Sequence, residues 1–311
     1  MNIVISYSLF DQFEDKFNRN GHDPFDKKPY RYWLNLPSIL IVNNIVFPNS
    51  ITRIYIPKLL QNNKYYSLLE EFKKELDFFE LEIIDKPYKK TEPSIWRVEA
   101  LWDKKANFVF CRDLDSLMIK KEAHAMQYFI NSKYMINNIR SARQHNGEGT
   151  SIMAGLCGFN IPKLHRELPM PENFEKYLEF YKKTTKPNEW GCDQETLINF
   201  FLRYRSNRVA NMVLDTYIQP RKRSKNIYGV KPNKYYQSTS IAENTYNNIK
   251  LSVEAEKILT VSDSFSNWAG EPINASGNNF KKILTIAKTK NSKIIEKIIK
   301  SNNSYIKLFS I

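Results

Sequence analysis

The stretch Asn107–Ser116, NFVFCRDLDS, decides the fold. From Asn107 to Cys111 it is apolar and aromatic at successive positions instead of alternating, as in a strand buried on both faces, and such strands belong to sheets covered by helices on both sides. It then breaks into Arg112, Asp113, Leu114, Asp115 and Ser116. On the N-terminal side, Ile95 to Trp102 predicts a helix and Leu81 to Ile84 a short strand. Tyr65 to Phe78 carries Leu68, Leu69, Phe72 and Leu76 at helical spacing. Ile51 to Ile56, bounded by Pro48 and Pro57, predicts a strand, and Tyr32 to Phe47 a helix despite Pro37. The opening Asn2 to Ser8, NIVISYS, predicts another buried strand.

On the C-terminal side, Lys120 to Phe129 predicts a helix. Gly147 to Gly158, GEGTSIMAGLCG, holds four of the nine glycines and predicts a loop with close backbone approach. In Glu189 to Leu202 a turn at Trp190-Gly191 is followed by an amphipathic helix with Asp193 near its start, where a carboxylate also suits an N-cap. Strands separated by helical crossovers predict an α/β fold with a mostly parallel sheet and helices on both faces. The expected organisation is a core over residues 1–215 and a basic, helical C-terminal part over 216–311 packed on it as one domain.

Such sheets bind ligands beyond the carboxyl ends of their strands. That directs attention to Ser6, Tyr7 and Ser8 after the first strand and to Arg112 through Ser116 after the central one. Asp113 and Asp115 flank Leu114, so their carboxylates can converge on one hard cation, Mg²⁺ or Mn²⁺, leaving the rest of its shell to water and a diphosphate. A capped turn with solvated acids is the alternative for this pair.

Composition bounds the partners. The 311 residues contain 47 Lys and Arg against 33 Asp and Glu, a net charge of +14, while 19 Phe and 18 Tyr oppose a disordered chain. The longest apolar stretch, Leu36 to Phe47, is broken by Asn43 and Asn44 and falls short of a membrane span. Met1 to Ser8 lacks the basic start and long apolar core of a secretory signal, so the expected location is the cytoplasm. Cys111, Cys157 and Cys192 form no CxxC pair and are expected as reduced thiols.

The run Ile95-Trp96-Arg97, then NFVFCRDLDS, IMAGLCGFN and WGCDQETLINFF, resembles the nucleotide-sugar glycosyltransferases of the GT-A (Rossmann-like) fold. The likeness covers about Asn2 to Leu202 and is nearest to enzymes of phages, giant viruses and bacterial surface-polysaccharide clusters, more loosely to the glycogenin and galactosyltransferase-like retaining enzymes. The resemblance implies a nucleoside held by Ser6, Tyr7 and Ser8. It puts Arg97 on the diphosphate or donor sugar, with Arg112 beside the donor. Asp113 and Asp115 would bind metal and ribose, Gly155 and its loop would line the donor sugar, and Asp193 and Gln194 would face the anomeric carbon. Asn267 stands where related retaining enzymes carry a third metal ligand, a histidine.

Blander roles exist for several of these. Arg97 could pair with Glu99 or Asp103 on a helix surface, Asp193 could be only a cap, and Asn267 an ordinary turn residue. His124 and His145 lack a nearby nucleophile, which leaves a hydrolase triad unsupported. Trp96, Trp102 and Trp190 suit the core better than a sugar platform.

The charge surplus points to an anionic acceptor. Gln219 to Tyr236 has six Lys and Arg, three Tyr and no acid, and Lys281 to Lys307 is similarly basic. Such stretches suit a nucleic acid, here a hydroxymethylated base in DNA flipped from the duplex, or an anionic membrane face where capsule, lipopolysaccharide or virion glycans are built. A non-catalytic nucleic-acid-binding protein is the third reading.

Overall fold

The central strand expected over Asn107 to Cys111 is β4 (Phe108–Arg112), every residue of it buried. The structure, a computed structural model, describes residues 1–10, 31–63, 65–88, 92–140, 152–184, 192–201, 209–213, 239–241, 243–246, 248–266, 269–270, 277–287 and 296–298. The strands are β1 (Ile3–Ser8), β2 (Ser50–Pro57), β3 (Phe79–Ile84), β4, β5 (Ile136–Arg140), β6 (Leu156–Asn160), β7 (Val209–Val213) and β8 (Thr239–Ile241). The helices are α1 (Arg31–Val46), α2 (Tyr66–Glu75), α3 (Lys120–Ile130), α4 (Ile161–Glu167), α5 (Phe174–Thr184), α6 (Cys192–Phe201), α7 (Glu243–Tyr246), α8 (Val253–Asp263) and α9 (Gly277–Ala287).

The eight strands of the described residues form one sheet in the order β3-β2-β1-β4-β6-β5-β7-β8. β6 runs against both neighbours and every other pairing is parallel. The fold is α/β with a mostly parallel sheet. From β1 the chain steps outward to β2 and β3, then returns to lay β4 on the opposite side of β1. That reversal is the topological switch point, where such sheets open a crevice beyond the strand ends. Ser6 stands beside Cys111 in register there.

The pleat divides β1 and β4 between two cores. Ile3, Ile5, Tyr7, Phe108 and Phe110 face α1, α2, α3, α8 and α9. Val4, Val109 and Cys111 face α4, α5, α6 and a tight 3-10 segment, Glu92–Trp102. Helices therefore cover both faces. Of the basic C-terminal part, α8 and α9 pack on α1; Gln219 to Tyr236 lies outside the described residues. Among the described residues no helix is long and apolar enough to cross a membrane.

Two elements differ from the sequence reading. The helix expected over Ile95 to Trp102 is a 3-10 segment that begins at Glu92. An α-helix would bond the Arg97 N–H to the carbonyl four residues back; here it is donated to Ser8 Oγ at 2.9 Å. The end of the expected glycine loop, Leu156 to Gly158, is strand β6, paired antiparallel with β4 so that Gly158 lies opposite Phe110. A side chain at Gly158 would strike the Phe110 ring, so glycine there makes room within the sheet.

Candidate functional site

At the switch point the β1 and β4 ends meet the 3-10 segment and the start of α6 around one side chain, Arg97. It is 5% exposed. Its Nη1 donates to the Arg112 carbonyl at 3.0 Å and pairs with Asp113 Oδ1, and its Nη2 donates to Asp193 Oδ2 at 2.6 Å. One planar guanidinium thus ties the first acid of the strand-end pair to the acid at the head of α6. Burial by itself would pull Arg97 below its ordinary pKa, but Asp113 and Asp193 reverse this and hold it above. The surface pairing of Arg97 with Glu99 or Asp103 does not occur; Asp103 instead accepts from Arg53 at 2.7 Å.

The two acids differ in access. The Asp113 side chain is 45% exposed and that of Asp193 12%. Asp193 lies in the first turn of α6, and its Oδ1 accepts the Gln194 amide at 2.9 Å. Both of its oxygens are therefore engaged, one by a helix N-terminal amide and one by Arg97. Gly155 approaches Asp113 so closely that a methyl group there would overlap the carboxylate. Gly155→Ala is expected to displace the Asp113 carboxylate and to lower stability by about 1–3 kcal/mol, read from the urea midpoint. An unchanged midpoint would show that Asp113 tolerates the move.

Asp115 is 8% exposed and lies within the electrostatic reach of Arg112. Among the described residues no group of three or more His, Cys, Asp or Glu side chains converges on a metal position. Asp113 is reachable from solvent, its carboxylate seated where a Gly155 side chain would be. Carboxylates of this kind are the chemistry that a hard divalent cation such as Mg²⁺ or Mn²⁺ prefers, and Asp113 and Asp115 are the residues that would hold one, with water and substrate oxygens completing its shell. Asn267 lies outside the described residues.

The remaining expected residues separate. Ser6 is fully buried and donates its hydroxyl to the Arg97 carbonyl at 2.7 Å, so it touches the site from beneath. Tyr7 points to the opposite face, where it is buried and accepts from Asn43 Nδ2 at 3.0 Å. Burial raises its hydroxyl pKa, with the Arg112 charge opposing. Arg112 also stays off the open side: it is 1% exposed and forms an ion pair with Glu122 of α3, equally buried. Burial pulls Arg112 below its ordinary value while Tyr7, Asp113 and Asp115 oppose. Trp96 is wholly buried in the core and stacks edge-on with Tyr88, and Trp102, partly buried, packs against the same core and donates to the Pro171 carbonyl at 2.8 Å. Trp190 and His145 lie outside the described residues, and His124 pairs with Glu256 at 3.2 Å.

Two features escaped the sequence reading. Cys111 and Cys157, distant in sequence, face each other in register across β4 and β6 as free, buried thiols. Burial, then the neighbouring Cys111, pushes the Cys157 thiol up. Glu122 carried a readable signal: it falls on the same helical stripe as Ala125, Met126 and Phe129, where an acid needs a buried partner.

On the outer side of the 3-10 segment, burial pushes Glu99 up to about 7, with Glu175 and Glu82 adding to the effect and Lys86 opposing it. Its Oε2 is buried without a hydrogen-bond partner. Glu99 binds its proton more tightly folded than unfolded, so its contribution to stability is complete below the unfolded value near 4.5 and is lost as pH rises through about 7. Glu99→Gln should flatten urea midpoints over that window, gaining about 1–3 kcal/mol at its upper end. Parallel pH profiles for variant and parent would remove the assignment.

No family model matches the chain, and no curated protein matches it. Solved structures do. Glycosyltransferase GlyE of Streptococcus pneumoniae is 13% identical over 67% of this chain and 44% of its own, with a TM-score of 0.40. The bifunctional glycosyltransferase WbbM is 11% identical over 96% of this chain and 51% of its own, at 0.44. A Pyrobaculum calidifontis mannosyltransferase, solved with GDP-mannose and Mn²⁺, is 10% identical over 97% and 74%, at 0.41. This chain spans about half the length of the first two.

Proposed function

We propose that the protein is a metal-dependent glycosyltransferase that moves a sugar from a nucleoside-diphosphate donor to an acceptor hydroxyl. The observation that carries this reading is the Arg97 guanidinium joining Asp113 to Asp193 at the switch point of a mostly parallel sheet. That crevice suits a nucleotide, and the acid pair beside a buried cation suits a diphosphate with its counter-ion. A divalent cation held by Asp113 and Asp115 would neutralise charge on the diphosphate.

The chain's own groups do the rest. Sugar transfer breaks the bond between the anomeric carbon and the diphosphate oxygen and forms one from that carbon to the acceptor oxygen, whose proton passes to the departing diphosphate, so charge builds on the leaving group while the sugar turns oxocarbenium-like. Arg97 stabilises the departing diphosphate. Asp193, its oxygens fixed by Arg97 and the Gln194 amide, holds negative charge beside the electron-poor sugar. Gly155 leaves room for the Asp113 carboxylate itself, which a side chain there would displace.

The acceptor is anionic, in keeping with the net charge of +14. A hydroxymethylated base in DNA is the first choice and a membrane-associated glycan the second. The test is a donor screen by mass spectrometry with hydroxymethylcytosine DNA and a glycan acceptor side by side, with and without chelator. Transfer that is lost in EDTA and reduced at least about a hundredfold by Asp113→Asn is expected. Full activity of Asp115→Asn in EDTA would remove the metal. Salt-sensitive DNA binding without turnover of any nucleotide sugar would instead make the protein a non-catalytic nucleic-acid binder.

A further inference from the structure

We infer that Ser6 and Ser8 are positioning residues that fix the backbone of Arg97 and thereby aim its guanidinium, an inference resting on the reading that Arg97 meets the diphosphate. Ser6 Oγ donates to the Arg97 carbonyl at 2.7 Å, and the Arg97 N–H donates to Ser8 Oγ at 2.9 Å. Two hydroxyls two positions apart on one strand, hence on one face, grip both polar groups of the same residue. A third contact, Cys111 Sγ to the same carbonyl at 3.7 Å, is a thiol's weaker donation.

The grip matters because of what hangs from it. The side chain has a long flexible stem, and its Nε is buried without a hydrogen-bond partner. The plane of the guanidinium is therefore set by its Nη contacts to Arg112, Asp113 and Asp193 and by the position of Cα. Arg97 sits in the middle of the 3-10 segment and its N–H is donated to Ser8, so β1 adds a restraint from outside that segment.

The serines are otherwise costly at these positions. β1 reads IVISYS, and an apolar residue would suit the Ser6 position, which is 0% exposed, unless its hydroxyl has a buried partner. The same burial keeps Ser6 from touching a ligand. Ser8, partly exposed at the strand end, is engaged through its lone pair, not its proton.

The experiment is calorimetric titration of uridine diphosphate and guanosine diphosphate, each with Mn²⁺, and of uridine and guanosine alone. The proteins are the wild type, Ser6→Ala, Ser8→Ala, Ser8→Thr, Arg97→Ala and the serine–Arg97 doubles. Each serine-to-alanine change should weaken the bound diphosphate about tenfold, leave the nucleoside unchanged and have no further effect once Arg97 is alanine, while Ser8→Thr keeps most of the affinity. A serine effect that persists in the Arg97→Ala background, or that weakens the nucleoside equally, would overturn the inference. Binding of neither diphosphate by the wild type would defeat the donor reading alone. The positioning role is then decided by urea denaturation of Ser6→Ala, Asp193→Asn and their double. Held in place by Ser6, Arg97 makes the two losses overlap; strictly additive losses would show that the serine does not aim it.

Discussion

Arg97→Ala is expected to lower sugar transfer at least about a thousandfold and to cost about 3–5 kcal/mol of stability. Both effects come from one geometry. Arg97 is 5% exposed and its guanidinium serves two carboxylates, so its removal leaves Asp193, itself 8% exposed, as a buried charge without its cation. The leaving diphosphate loses a fixed donor at the same time. Arg97→Lys will not restore activity, because a single ammonium cannot span Asp113 and Asp193 with separate donors as the planar fork does. Turnover with donor held fixed, together with urea midpoints, separates the two losses. Asp193→Asn added to Arg97→Ala should recover part of the stability and none of the turnover. An Arg97→Ala enzyme within tenfold of wild type would remove Arg97 from the chemistry.

The largest stability effect away from the crevice is expected at Glu122. Arg112 and Glu122 are each 1% exposed and form an ion pair between the end of β4 and α3. Glu122→Gln keeps the shape but strands a buried guanidinium, at about 3–5 kcal/mol. Replacing both, as Arg112→Met with Glu122→Leu, should recover most of that loss, because neither charge then needs desolvating. Chemical denaturation of the two variants measures it. A Glu122→Gln loss below about 1 kcal/mol would show that water or another group already compensates Arg112.

NFVFC and NIVIS were legible because strands buried on both faces have no polar alternation to confuse, and the end of the first puts Asp113 and Asp115 just beyond β4. The crevice between β1 and β4 follows from chain order once the crossovers are counted. The pleat was the neglected information. Ser6, Tyr7 and Ser8 share a strand end but not a face, so only the serines reach Arg97, and Tyr7 joins Asn43 in the other core. The same alternation sends Arg112 to Glu122 and Cys111 to the Arg97 side.

What was not legible depends on pairing between distant segments. Nothing local in IMAGLCGFN announces an antiparallel strand inserted between parallel ones, because the register that places Gly158 against Phe110 and Gly155 against Asp113 is set by β4. The blander surface role for Arg97 arose because Glu99 and Asp103 offered partners at helical spacing. Its actual partners lie 16 and 96 residues away.

The facing thiols of Cys111 and Cys157 give this architecture a clock. Cys111 and Cys157 lie on β4 and β6 in the core covered by α4, α5, α6 and the 3-10 segment, so a reagent that alkylates sulfur reaches neither side chain while that cover stays packed. Modification of Cys111 and Cys157 in native buffer therefore counts the moments at which the cover lifts from these strands. Those strands also carry Asp113 beyond one end and Gly155 before the start of the other, so the count measures how often the proposed donor crevice comes undone, with no substrate needed to observe it.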